Sequence, residues 1–218
     1  MEILFEDRDL IVAVKPAGIS SEHTPDKTGF ADQLAARNGG YIGIVHRLDL
    51  SVSGVMVYAK TAFAASGLSR AAAERTLKKI YLAVVNGIPE PSGRLRDLLY
   101  HDRVRNKTFV VDRERAGVKE AILDYRLLAS LRSPERSLAA VSLLTGRTHQ
   151  IRVQFASRGF PLAGDRKYGS PAGGSIGLFA ARLTFPHPRT RETLSFEILP
   201  SEPPFSDFSE YLTVPDFE

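Results

Sequence analysis

His46-Arg47-Leu48-Asp49 sets an imidazole, a guanidinium and a carboxylate within four residues, and Leu50-Ser51-Val52-Ser53-Gly54 follows. The segment falls on a polar turn between two strand-like pieces. In such a turn Asp49 has two readings. It faces a cleft together with Arg47. Or it is an ordinary turn residue that caps backbone while Arg47 stays solvated. Spacing alone leaves both open.

A second cluster is Thr145-Gly146-Arg147-Thr148-His149-Gln150-Ile151-Arg152. Three cationic or basic groups, Arg147, His149 and Arg152, gather where a helix is expected to begin at 147. That setting suits phosphate, or a carboxylate that must stay ionised. The plainer alternative is a solvated basic face. In Lys78-Lys79-Ile80-Tyr81-Leu82-Ala83 the tyrosine is either a core residue with its hydroxyl satisfied or a surface on which a base stacks. Gly164-Asp165-Arg166-Lys167-Tyr168-Gly169 is a charged loop with an aromatic, either a grip for nucleic acid or a turn.

Other chemistries are poorly supported. The chain has no cysteine, which excludes disulfides, thiol nucleophiles and Cys-bearing zinc sites. His23, His46, His101, His149 and His187 are scattered without metal-ligand spacing, so no metal is expected. There is no HExxH, Walker loop or GxGxxG. The net charge of +4 and pI near 9.4 permit nucleic-acid binding without establishing it. Glu202, Asp207, Glu210, Asp216 and Glu218 crowd the C-terminus, so the remainder is more basic than the total. No apolar run approaches the ~20 residues of a membrane span. The start, with Glu6, Asp7 and Arg8 directly after Met1 to Phe5, is unlike a signal peptide. A cytoplasmic location with no membrane partner is therefore expected.

The elements that must position these groups are mostly strands. Residues 3–5 and 10–14 read as two strands around a charged turn, the second stopped by Lys15-Pro16-Ala17-Gly18. Helices are expected at 30–37, ended by Gly39-Gly40, and at 61–77 and 147–157. Further strands are expected at 54–58, 80–85, 107–111, 119–129, 138–144, 178–185 and 193–199, with mostly loop over 159–177. This predicts an α+β fold, with a mixed, mainly antiparallel central β-sheet flanked by helices and loops and a catalytic cleft across the sheet. The 218 residues fit a single domain over 1–218, or two small lobes sharing a core, with 201–218 as an acidic C-terminal tail.

Taken in order, these segments resemble the RluA-like pseudouridine synthases. Lys15-Pro16-Ala17-Gly18 is similar to the first family motif, and His46 to Asp49 with Ser53-Gly54 resembles the second. Lys79-Ile80-Tyr81 resembles the tyrosine segment, and Gly146 to Val153 the third motif. Pro161-Leu162-Ala163-Gly164-Asp165 and Leu183 to Pro188 also fit. The resemblance spans roughly residues 3 to 200, and no S4-type domain is expected before it. Val52 stands where Thr is usual, Gln154 where His is common, and Phe179 where His is frequent.

The resemblance implies an isomerase that converts specific uridines of ribosomal or transfer RNA to pseudouridine, without a cofactor. It implies Asp49 as nucleophile, with Tyr81 and Arg152 as the other catalytic residues. Arg152 is expected to pair with Asp49 and keep it ionised, because burial alone would raise a carboxylate pKa. Tyr81 would stack on a flipped uracil. Arg47, Lys15, Arg147, His149 and Lys167 are candidate RNA contacts. The expected state is a monomer. Two rival readings are a non-catalytic RNA-binding protein of the same fold and a metal-dependent nuclease using Asp49 and histidines.

Overall fold

The computed structural model describes residues 1–23 and 27–217. The elements in chain order begin with β1 (Glu2–Glu6), β2 (Leu10–Lys15), α1 (Phe30–Asn38), β3 (Gly43–Ile44), β4 (Ser53–Ala59) and α2 (Ala62–Ala73). Next come β5 (Lys78–Asn86), β6 (Ser92–Asp102), β7 (Lys107–Val111), β8 (Val118–Arg132) and β9 (Glu135–Leu143). The chain ends with α3 (Gln150–Ala156), a 3-10 turn (Arg166–Tyr168), β10 (Leu178–Pro186), β11 (Thr193–Glu197) and a 3-10 segment (Phe205–Tyr211). Two compact units form: residues 1–79 with 179–198, and residues 80–178 with 199–218.

In the first unit the strand order is β1-β2-β4-β10, with β11 on β10 and β3 on β4. All pairings are antiparallel except β4 with β10. Strand β2 reads Leu-Ile-Val-Ala-Val and is buried on both faces, so it shows a continuous apolar run. Leu10, Val12, Val55, Val57, Leu68, Leu183 and Phe185 form its core. Helix α2 is capped by Thr61, whose hydroxyl accepts from Ala64 N at 3.1 Å. It stops at Ala73, four residues short of the expected end, and Arg75 follows in the left-handed region at φ 60°. An ion-pair cluster closes this unit: Arg189 forks onto buried Asp9 at 2.6 and 2.7 Å, and His187 bonds Asp7 at 2.9 Å. Asp7, Asp9 and His187 are close enough to hold a cation. The guanidinium of Arg189 already supplies one, and it holds the Asp9 carboxyl down to about 2.

In the second unit β5-β9-β8-β6-β7 lie side by side in that order, every pairing antiparallel. Strand β6 was not anticipated, because it lacks clean alternation. Its arginines are satisfied across the strands instead: Arg94 forks onto Asp124 at 2.6 and 2.8 Å, and Arg96 bonds Glu120. Residues 201–217, expected as an acidic tail, bury Phe205, Phe208 and Val214, with Phe208 fully enclosed. Glu218 lies outside the described residues. Among the described residues no helix is long and apolar enough to cross a membrane.

Candidate active site

In the first unit the turn carrying Asp49 is held mainly through its neighbours' backbone. Strand β2 delivers Lys15, Pro16 ends the strand, and Gly18 turns the chain at φ 83°. Gly18 N then donates to Leu50 O at 2.7 Å. The Ser21 hydroxyl accepts from Leu48 N at 3.0 Å and donates to Leu48 O at 2.9 Å. Val52 N closes the turn on Asp49 O at 3.0 Å. Leu48 and Val52 point inward and are buried. These contacts leave Asp49 half-buried between two anchored apolar residues.

Beyond the turn, Gly54 runs beside β10 at φ 132°. A Cβ there would sit 2.3 Å from Ala180 O, so only glycine lets β4 and β10 approach. Phe179 lies opposite Ser53 in that parallel pair and is buried. His46 is also buried, and its Nε2 accepts from Val57 N at 3.2 Å, which ties the turn to β4. Burial, with the nearby Lys79 charge, holds its pKa well below the usual value, so it stays neutral.

Two expected RNA contacts in this unit differ in character. Arg47 is exposed and pairs with Glu22 at 2.8 Å. Lys15 is fully buried, and its Nζ donates to Pro16 O at 2.7 Å and Ile19 O at 2.9 Å. Its Nζ is thus enclosed and bonded to backbone carbonyls, where an exposed phosphate contact was expected. Burial lowers its pKa to about 8, while the Asp49 carboxylate pulls it back up. Lys15 is therefore a cation whose field reaches Asp49.

In the second unit Tyr81 lies on β5 opposite Val141 of β9 and is buried. Arg152 on α3 is also buried, and forks onto Asp165 at 2.7 and 2.9 Å. Its guanidinium also lies 5.1 Å from the centre of the Tyr168 ring. The Tyr168 hydroxyl accepts from Thr108 N at 2.8 Å and shares a hydrogen bond with His149 Nδ1 at 2.9 Å. Asp165 and Tyr168 thus organise Arg152. Sequence reading noted their loop but not this role, because the pairing spans a Gly- and Pro-rich stretch without periodicity.

The third-motif segment departs from expectation at its start. His149 adopts φ 55°, so α3 begins at Gln150 and not at 147. Gln150 instead fastens the preceding turn, its Oε1 accepting from Arg147 N at 3.0 Å and Thr145 Oγ1 at 2.8 Å. His149 is buried, where an exposed phosphate contact was expected. Arg147 is exposed, with Nε donating to Glu120 O at 2.9 Å, and exposed Lys167 donates to Asn106 O at 2.9 Å. Gln154 is fully buried and donates to Asp97 at 2.7 Å, while its Oε1 has no protein partner.

Residues 9–157 match the family described as RNA pseudouridylate synthase. The chain is 38% identical to the ribosomal large subunit pseudouridine synthase D of Neisseria meningitidis serogroup B, over 90% of this chain and 57% of that protein. It is 36% identical to an uncharacterized RNA pseudouridine synthase of Aquifex aeolicus, over 91% of this chain and 69% of the other. The chain thus spans little more than half the length of the Neisseria relatives it matches. Among solved structures, human RNA Pseudouridylate Synthase Domain Containing 1 superposes with a TM-score of 0.78 at 25% identity, covering 92% of this chain and 83% of that one. The ordered motifs, the mixed and mainly antiparallel strand architecture and these matches together place the chain in the RNA pseudouridylate synthase family.

Proposed function

We propose that the chain isomerises uridine to pseudouridine in structured RNA, with Asp49 as the nucleophile. The observation that carries this reading is the anchored Asp49 turn, which lies inside the family-matching segment. The reaction breaks the uracil N1–C1′ bond, turns the base and joins C5 to C1′, and the hydrogen on C5 leaves as a proton. It is redox-neutral and needs no energy donor. A carboxylate serves it either by attack at the sugar or by assisting removal of a C2′ proton, and both need an ionised Asp49 in a water-poor setting.

The residues divide the work as follows. Lys15 stabilises the Asp49 carboxylate from within the fold. Arg152, oriented by its fork onto Asp165, is the basic residue of the catalytic set. Tyr81 stacks on the flipped base. Arg47, Arg147 and Lys167, all exposed, hold the RNA backbone, while Lys15 and His149 act as scaffold. Ribosomal RNA is the first substrate to test, given the large-subunit enzyme named among the relatives. The enzyme works as a cytoplasmic monomer without a metal.

The testing experiment maps pseudouridines in ribosomal and transfer RNA from cells lacking the gene. A site lost on deletion, restored by the wild-type gene and not by the Asp49→Asn gene, supports the reading. Restoration by both genes would leave a non-catalytic RNA-binding role in its place.

A further inference from the structure

A groove in the second unit shares Lys167 and Tyr168 with the residues described above and is otherwise distinct from them. It has a volume of about 520 Å³ and runs between edge strand β7, α3 and the 3-10 turn. Lys107, Arg166 and Lys167 line it, and no carboxylate does. Among the described residues these three cations have no ion-pair partner, unlike Arg94, Arg96 and Arg158 of the same unit, which are neutralised by Asp124, Glu120 and Asp97. Phe109 and Val110 add an apolar wall, with Val110 exposed. Lys107 Nζ sits between two rings, 5.8 Å from the centre of Phe109 and 5.4 Å from that of Tyr168.

The floor is built and not merely open. The Tyr168 hydroxyl takes Thr108 N, Thr108 Oγ1 donates to Thr148 O at 2.9 Å, and Val153 packs beneath. Arg166 is placed by a missing side chain: a Cβ at Gly173 would come within 2.5 Å of its Nη2. Three unneutralised cations beside a half-exposed phenyl ring match a phosphodiester and a base face. A peptide strand added to β7 fits less well, because Thr108 N already has its acceptor and the wall offers an acidic ligand more than an apolar one.

We infer that this groove is a docking site for a single-stranded nucleotide flanking the modified uridine. Its base lies on Phe109 and its phosphate is held by Lys107, Arg166 and Lys167. The inference rests on RNA being the substrate. It adds a place that grips the strand without taking part in the isomerisation.

The test uses the full chain carrying Asp49→Asn, with a fluorescent single-stranded oligouridylate as probe, titrated at several potassium chloride concentrations. Phe109→Ala is expected to weaken binding roughly 5- to 150-fold, the range for losing one stacked base. Phe109→Leu keeps most of the volume and should weaken it in the same direction, which guards against a folding artefact. Lys107→Ala and Arg166→Ala should each flatten the log–log salt slope by about 0.7. Arg70→Ala, on α2 outside the groove, should change neither. Unchanged affinity in both Phe109 variants, or unchanged slopes in the two cation variants, overturns the inference. Tritium release from RNA carrying 5-³H-uridine by the wild-type chain is scored separately. Release with unaffected groove variants removes the groove alone. Lost binding in those variants without wild-type release removes the isomerase reading and keeps the groove.

Discussion

The Asp49 turn and the Arg152 site hold a charged residue by opposite means. Around Asp49 the fixing bonds run through Leu48, Leu50 and the main chain of Asp49 itself, with Ser21 and Gly18 as partners. Around Arg152 they run through the charged side chain, which forks onto a buried carboxylate. A residue positioned through backbone can be changed without dismantling its support. A residue that is half of a buried ion pair cannot, because its partner is left charged and desolvated. Chemistry and stability should therefore be less tightly coupled at position 49 than at position 152.

The largest separation is expected for Asp49→Asn. The backbone bonds persist, so the fold and RNA affinity should be largely kept, with some stability lost as buried Lys15 loses a nearby countercharge, while turnover falls by at least about 10⁴-fold. Single-turnover rates beside a thermal melt check this. Next comes Arg152→Ala, which should cost about 3–5 kcal/mol of stability and also slow the reaction. Pairing Arg152→Met with Asp165→Asn should recover part of the stability but none of the rate, since no unpaired charge remains. Denaturant titration distinguishes this from simple additivity. If Arg152→Ala alone melts like wild type, the contrast between the two sites fails.

Ser21→Ala should sharpen the comparison from the other side. It strips both backbone bonds from Leu48 without touching a charge, and should cost about 2–3 kcal/mol. The turnover of the folded fraction should also fall, because the turn loses its anchor.

The smallest effect concerns pH. Burial sets the folded-state pKa of Lys15 near 8, below its ordinary 10.5, and Lys79 is lowered in the same way to about 8. Between those values the unfolded chain binds more protons than the folded one, so stability rises with pH across that window. Activity should move the other way, falling about tenfold above pH 8 as Lys15 loses the charge near Asp49, the equivalent of about 1.4 kcal/mol. Lys15→Met should lower the rate at neutral pH and flatten that limb. A wild-type profile with no decline above pH 8 would deny Lys15 this role.

Much of the fold was readable from local pattern, and the exceptions have a common cause. Strands β2, β4, β5 and β7 and helix α1 follow apolar runs, β-branched residues and the Gly39-Gly40 stop. Strand β6 hid because cross-strand ion pairs replace alternation, and the Phe205 and Phe208 contacts hid under an acidic composition. At the site, the Asp49 and Arg152 motifs were visible as ordered residues. Their supports were not: Ser21 lies 27 residues from Leu48, and Asp165 lies 13 from Arg152 across a loop. Lys15 and His149 looked like surface cations because sequence shows a charge and not its burial.

The most direct test is tritium release from RNA carrying 5-³H-uridine, using the purified chain in EDTA with strand integrity followed on the same samples. The label reports loss of hydrogen from C5, which isomerisation requires and RNA binding or strand cleavage does not. The account predicts stoichiometric release at discrete uridines from intact RNA by the wild-type chain, and none by Asp49→Asn bound to the same RNA. Release by the Asn variant at a rate near wild type would contradict it, as would strand cleavage in place of release.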